Sequence, residues 1–155
     1  MRIRYYTASD AEQIASVFKR SVSELGLRFY SQKQIDAWVA RAPSAADVQL
    51  RNKDGRITFV SVNEANEIVA YAELEQDGHI DHVYALPDIA GTGVVSKLYN
   101  DLEKHAISLG LKKLYTEASE GARRFFLKKN FIEHNKRIFK IEGVTIHNYA
   151  MDKTL

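Results

Sequence analysis

The spacing of apolar residues changes along the chain, and each change marks an element. In MRIRYYTAS, Ile3 and Tyr5 alternate with arginines, a period of two that predicts a strand. In DAEQIASVFKRSVSEL, Ile14, Val17, Phe18 and Val22 fall at helical spacing, with Ser9 or Asp10 as N-cap and Gly26 as the stop. Ser31 caps a second helix, QKQIDAWVARA, which carries Ile35 and Trp38 and ends before Pro43. SAADVQLRN predicts a short third helix, closed by KDG. The period then returns to two. RITFVSVNE, NEIVAYAELEQ and HIDHVYAL predict three strands, joined through EAN and QDG by connections short enough for hairpins.

A long helix follows in GVVSKLYNDLEKHAISLG, with Val94, Leu98, Leu102 and Ile107 as its apolar stripe and Gly110 as C-cap. LKKLYTEA predicts a strand. EGARRFFLKKN predicts a helix with Ala122, Phe125 and Phe126 on one face and Asn130 as a left-handed cap. FIEHNKRIFKI and TIHNYAMD predict a closing hairpin around EGV. An antiparallel run, one βαβ crossover and a final hairpin together predict an α+β chain with a mixed, mostly antiparallel sheet flanked by helices, rather than a doubly wound one. The 155 residues predict a single domain over 1–155, long enough to bury a core without disulfides or metal.

Composition removes several kinds of chemistry. The chain has no cysteine, which excludes a disulfide framework, a cysteine metal site and a cysteine nucleophile. The net charge of +2, with both signs spread along the chain, does not make the field of a nucleic-acid binder. The N-terminal segment lacks the apolar core of a signal peptide, and no apolar run approaches the roughly 20 residues of a membrane span. The expectation is a cytoplasmic protein with no membrane or nucleic-acid partner, as monomer or homodimer. His79-x-Asp81-His82 has metal-ligand character, but with no further clustered ligands no metal is expected. The Lys/Arg-rich segment from Arg123 to Lys140 reads as a solvated outer face.

One stretch calls for a backbone reason: YALPDIAGTGVVSKLY, residues 84–99, where a strand meets a proline, two glycines and a helix. It is not a Walker A loop, because Val94 follows Gly93 and Lys97 lies inside the helix. It meets only two of the three glycines of a dinucleotide fingerprint, and hairpins rather than helices join the strands before it. Two readings remain. One is a pyrophosphate held by the unpaired amides of a helix N-terminus; the other is a tight turn that binds nothing.

The surroundings of this turn carry a resemblance. IDHVYALPDIAGTGVVSKL resembles the acetyl-CoA motif of the GNAT-type N-acetyltransferases, a strand ending in Val-x-Pro followed by Arg/Gln-x-x-Gly-x-Gly/Ala. ARRFFLKKNF resembles that family's Ala-x-x-Phe-Tyr-x-x-x-Gly-Phe, and YSQKQIDAW resembles Tyr-Ser-x-x-Gln-x-x-Ala-Trp of a bacterial small-molecule acetyltransferase subgroup. The resemblance implies the GNAT fold over essentially the whole chain, acetyl-CoA as co-substrate, and an amine on a small molecule or peptide N-terminus as acceptor. It implies that the backbone of Val83, Tyr84 and Ala85 lies along pantetheine. Ala90, Gly91, Thr92, Gly93, Val94, Val95 and Ser96 would surround the pyrophosphate, with Ser119 and Phe126 also at the cofactor. It further implies that Tyr30 and Trp38 wall the acceptor pocket. Separately, Glu73 and Glu75 alternate with Ala72 and Leu74, which offers one of them to an amine-binding cleft, and His79 is a further acceptor candidate.

Four departures stand out. Ala90 replaces the usual Arg or Gln, Val95 replaces Gly or Ala, Asn130 replaces Gly, and Phe126 replaces the Tyr that in many members protonates the CoA thiolate. Direct attack by the amine needs a proton acceptor and gains from a proton donor. Asp81 is the favoured base, with His79 on its face by strand alternation; His82 is the second candidate, on the opposite face. Tyr115 is named for the acid, with Tyr84, Tyr149 and Tyr30 left open beside it. Ala90 and Phe126 support a rival reading, a catalytically silent acyl-CoA binding or sensing module on the same fold.

Overall fold

A computed structural model describes residues 1–155. The chain runs β1 (Arg2–Tyr5), α1 (Ala11–Arg20), α2 (Gln32–Val39), α3 (Ala45–Arg51), β2 (Ile57–Val62), β3 (Ile68–Leu74), β4 (Ile80–Ala85), α4 (Val94–Ser108), β5 (Lys113–Ala118), α5 (Glu120–Lys128), β6 (Ile132–Ile141) and β7 (Val144–Thr154). Strands β1-β2-β3-β4 form one antiparallel sheet and β5-β7-β6 another. The sheets meet at one parallel bridge, His79 to Tyr115. The Tyr115 N–H donates to the Gly78 carbonyl at 3.1 Å, and the Thr116 hydroxyl donates to the Ile80 carbonyl at 2.9 Å. Past this point no ladder joins β4 to β5.

Helices cover both faces. α1 to α3 close one core over Val60, Val62, Ile68 and Tyr71, and α4 with α5 closes the other over Ala70, Ala72, Leu74 and Ile80. From Ala70 onward strand alternation makes this split, with Tyr71 on one face and Ala70, Ala72 and Leu74 on the other; a register shift at Val69 returns Ile68 to the Tyr71 face, and the whole strand is buried. The final hairpin turns through Glu142 at φ +50° and Gly143 at φ +75°, both in the left-handed region that a two-residue hairpin turn requires.

The structure corrects four local expectations. Asp10 stands at the position before α1, as expected, but its side chain does not cap that helix. The Asp10 carboxylate instead accepts from the Thr7 N–H at 2.8 Å and pairs with Arg4 at 2.8 Å, fixing a short 3-10 turn ahead of the helix. Gly26 does not stop α1; the helix widens into a π-turn at Ser21–Leu25, and Gly26 has ordinary helical backbone. Its missing side chain leaves room for Ile35 of α2. On α4 the buried stripe is Val94, Leu98, Tyr99, Leu102 and Ala106, while Ile107 is exposed. The fourth correction is a β-bulge. Glu73 pairs with His82 and Leu74 with Ile80, so Asp81 is the extra residue. Alternation breaks there, and Asp81 and His82 both turn toward Glu73.

The corrected α4 face has a direct test. Leu98→Ala should cost about 2–5 kcal/mol in urea unfolding, while Ile107→Ala should stay within about 0.5 kcal/mol. Equal losses would contradict this assignment of the buried face.

Candidate functional site

The glycine turn leaves donors without partners. Gly91 (φ +83°) and Gly93 (φ +90°) take the left-handed backbone that lets the chain turn from Pro87 into α4. The amides of Gly91, Gly93, Val94, Val95 and Ser96 make no hydrogen bond within the chain. A Cβ placed on Gly91 or Gly93 would meet no atom within 4 Å, so the space over the turn is open. Thr92 is not free in the same way: its hydroxyl donates to the Ile89 carbonyl at 2.6 Å and closes the turn. Ser96 is held from the end of α5, where the ammonium of Lys129, just past the helix, donates to its hydroxyl at 2.5 Å and to Asn100 Oδ1 at 3.0 Å. Val94 turns into the core.

The edge of β4 supplies a second set of free groups. The Leu86 N–H donates to the Val69 carbonyl at 2.9 Å. Antiparallel alternation then directs the backbone groups of Tyr84 toward β3 and those of Val83 and Ala85 away from it, into the gap before β5. Two cavities occupy this gap. The larger, of about 320 Å³, reaches from the α1–α2 connection to Ala85, Ala90, Gly91 and Val95. The smaller, of about 70 Å³, is lined by the polar residues Asp81, Thr116, Glu117, His147 and Asn148. Trp38, Val83, Tyr84, Ser119, Ala122 and Phe126 line both, forming the common wall.

The bulge gathers charge on the acidic side. Arg51 donates to Glu73 and to Asp81, both at 2.6 Å, and Arg56 donates to the same two carboxylates at 2.7 and 3.0 Å. Burial works to raise the Asp81 carboxyl, but the fields of His82 and Arg51 and the Arg56 hydrogen bond more than offset it and hold the group below its usual value. Burial pushes His82 down to about 4, so its imidazole is neutral at physiological pH. Its Nδ1 shares a 3.0 Å hydrogen bond with the Tyr71 hydroxyl. Although Glu73, Asp81 and His82 have metal-ligand chemistry, two guanidinium groups already neutralise the carboxylates.

The remaining predicted residues separate. Tyr115 lies outside the cleft, correcting its assignment as the acid: its ring stacks on His79 and its hydroxyl donates to Asp77 at 2.5 Å. Its side chain sits on the face of β5 opposite Thr116, because Leu114, Thr116 and Ala118 are the inward positions. His79 marks the base of the gap and lines neither cavity; it bonds Glu75 at 2.7 Å and Glu117 at 3.0 Å. Glu73 is fully buried under the arginines rather than facing an acceptor. Tyr30 lines the larger cavity, but its hydroxyl is an architectural tie. It donates to the His147 carbonyl at 3.0 Å and accepts the Glu120 N–H at 2.9 Å, pinning the segment before α2 to α5 and β7. Trp38 packs edge-on against Tyr30 and reaches both cavities.

Several cavity residues were not anticipated for this site, among them Glu117, His147, Asn148, Phe29 and Arg28. Glu117 had a detectable signal, alternating with Thr116 and Ala118 beside the gap. His147 and Asn148 come from β7 and reach the site only through the order β5-β7-β6, which local spacing does not encode.

With this geometry in hand, the chain matches the family model described as acetyltransferase (GNAT) domain over residues 27–153, and it belongs to that family. It is similar to the uncharacterized N-acetyltransferase YafP of Escherichia coli (strain K12), at 25% identity over 97% of this chain and 94% of that protein. Among solved structures, a GCN5-related N-acetyltransferase from Rhodopseudomonas palustris is 31% identical, with a TM-score of 0.90 over 99% of this chain and 95% of its own. The PaiA N-acetyltransferase of Thermoplasma acidophilum, solved with coenzyme A, shares the fold at 16% identity, with a TM-score of 0.76 over 99% and 98% of the two chains.

The His79 pair yields a pH prediction. Its hydrogen bond to Glu117 raises the imidazole, burial opposes this, and the bond to Glu75 adds to the rise, for a net value of about 9 against 6.5 unperturbed. A raised value means the pairing stabilises the fold fully below pH 6.5 and the gain is lost as pH rises through 9. The His79 ring should titrate by NMR near pH 9, and wild type should lose stability over that window relative to His79→Gln. A midpoint near 6.5 would contradict the pairing.

Proposed function

We propose that the chain transfers the acetyl group of acetyl-CoA to an amine of a small molecule or peptide N-terminus, by direct attack while both substrates are bound. The observation that carries this reading is the convergence of two unpaired backbone sets on one gap: the β4 edge at Val83 and Ala85, and the amides of Gly91 and of Gly93 through Ser96. Pantetheine fits the first as an added strand. The diphosphate fits the second, where helix amides and the helix dipole favour an anion and the open space over Gly91 and Gly93 admits it. Family membership supports the donor, and several proteins of the same fold were solved with CoA or acetyl-CoA. Acetyl-CoA supplies the activated acyl group; the chain supplies position and charge.

In this reading the Val83 N–H holds the thioester carbonyl, a contact that gains strength as negative charge develops on oxygen. The amine enters from the smaller cavity, whose polar lining includes Asp81, Thr116 and Glu117. A carboxylate held below its usual value takes up a proton poorly, so Asp81 acts by orienting the water that carries the ammonium's proton away. His82, neutral and enclosed, is similarly a weak base.

Absence of cysteine makes the assay direct, because a thiol reagent reports only released CoA. CoA release should depend on both acetyl-CoA and an amine from a broad panel. Tight acetyl-CoA binding with no release across that panel would favour the silent-module reading. Gly93→Ala should lower stability by about 1–2 kcal/mol, the cost of a left-handed non-glycine residue, and weaken acetyl-CoA at least about tenfold in calorimetry by filling the space over the amides. Unchanged affinity would contradict the cradle.

A further inference from the structure

We propose that Tyr84 is the acid that protonates the departing CoA thiolate, in place of a hydroxyl that Phe126 cannot supply. The inference rests on the acetyl-transfer reading above. Phe126 and Tyr84 both lie in the wall shared by the two cavities, where donor and acceptor sides meet. The other tyrosines around the cleft have their hydroxyls engaged. Tyr30 is bound by His147 and Glu120, Tyr71 by His82, Tyr115 by Asp77, and Tyr149 donates to Glu120 Oε2 at 2.7 Å. The Tyr84 hydroxyl has no hydrogen bond within the chain, and it is not among the sealed polar atoms that lack a partner. Its ring is fixed by Phe18 at 4.7 Å, by His82 edge-on at 5.2 Å and by Tyr71 at 5.9 Å between centroids. The hydroxyl is thus held by packing and left available to a ligand.

The protonation state suits the role. Burial raises the Tyr84 phenol well above its ordinary value, and the nearby carboxylates of Asp81 and Glu73 add to the rise. The group is therefore a neutral donor throughout the physiological range. In the reaction the amine nitrogen forms a bond to the acetyl carbon, and the C–S bond breaks with its electron pair going to sulfur. The Tyr84 O–H proton passes to that sulfur. The proton lost from the amine leaves through water, and the phenolate recovers one from the same water, giving amide and CoA thiol.

Two measurements on the full chain test this. Tyr84→Phe keeps the ring and the packing, and should lower kcat by about 10²-fold with acetyl-CoA affinity unchanged. The second readout needs no acceptor. Thiolate absorbance is titrated in the CoA complex and the desulfo-CoA complex is subtracted, which cancels the tyrosines; with no cysteine in the chain the difference reports the bound thiol alone. Loss of a donor to the thiolate should raise its midpoint in Tyr84→Phe by about one pH unit. Equal midpoints in the two proteins overturn the assignment, whatever happens to turnover, and so does a kcat within twofold of wild type. A chain that binds acetyl-CoA and releases none with any amine contradicts the transfer reading instead, and the thiolate titration still decides the Tyr84 contact.

Discussion

The site depends on a separation of strands. β4 and β5 touch at the His79–Tyr115 bridge and are not paired again. A continued ladder would consume the donors and acceptors of Val83 and Ala85 and close the space both cavities occupy. The parting leaves a strand edge buried under helices yet unpaired, which a folded chain tolerates only where water or a ligand satisfies it. The arrangement around the bridge holds the base of the gap shut. His79 is clamped between Glu75 and Glu117, Thr116 bonds the Ile80 carbonyl, and Tyr115 is tied to Asp77.

Charge is distributed to match that opening. On one side the helix amides present partial positive charge, reinforced from just past α5 by Lys129 through Ser96. On the other side, carboxylates line the smaller cavity. The bulge at Asp81 gives the second side its character. It brings two carboxylates and an imidazole together, and Arg51 and Arg56 make that cluster tolerable. Breaking such a partly buried network by removing one arginine would leave carboxylates uncompensated, a larger cost than the network's own net stabilisation.

Much of the fold was legible because periodicity is a local signal. The strands, the Ser31 cap and the left-handed Asn130 all follow from residues a few positions apart. The turn at Gly91–Gly93 was legible for the same reason, as was the departure at Ala90. What escaped the sequence depends on contacts across the chain or on one inserted residue. The bulge reversed the expected direction of His82 relative to Asp81, since alternation assumes an unbroken ladder. Tyr115 looked like an active-site donor until the bridge placed it on the outer face. Tyr30 matched a motif, yet its hydroxyl is spent on backbone groups more than ninety positions away in one case and just ninety in the other.

The central claim is that the parted edge of β4 and the free amides of the glycine turn receive the same molecule. Amide hydrogen exchange, followed residue by residue with and without acetyl-CoA, tests it most directly. The account predicts slowed exchange together at Val83 and Ala85 and at Gly93 through Ser96, with Tyr84 unchanged because its amide already pairs with β3. Saturating acetyl-CoA that leaves Val83 and Ala85 unprotected, or that protects amides elsewhere, would contradict it.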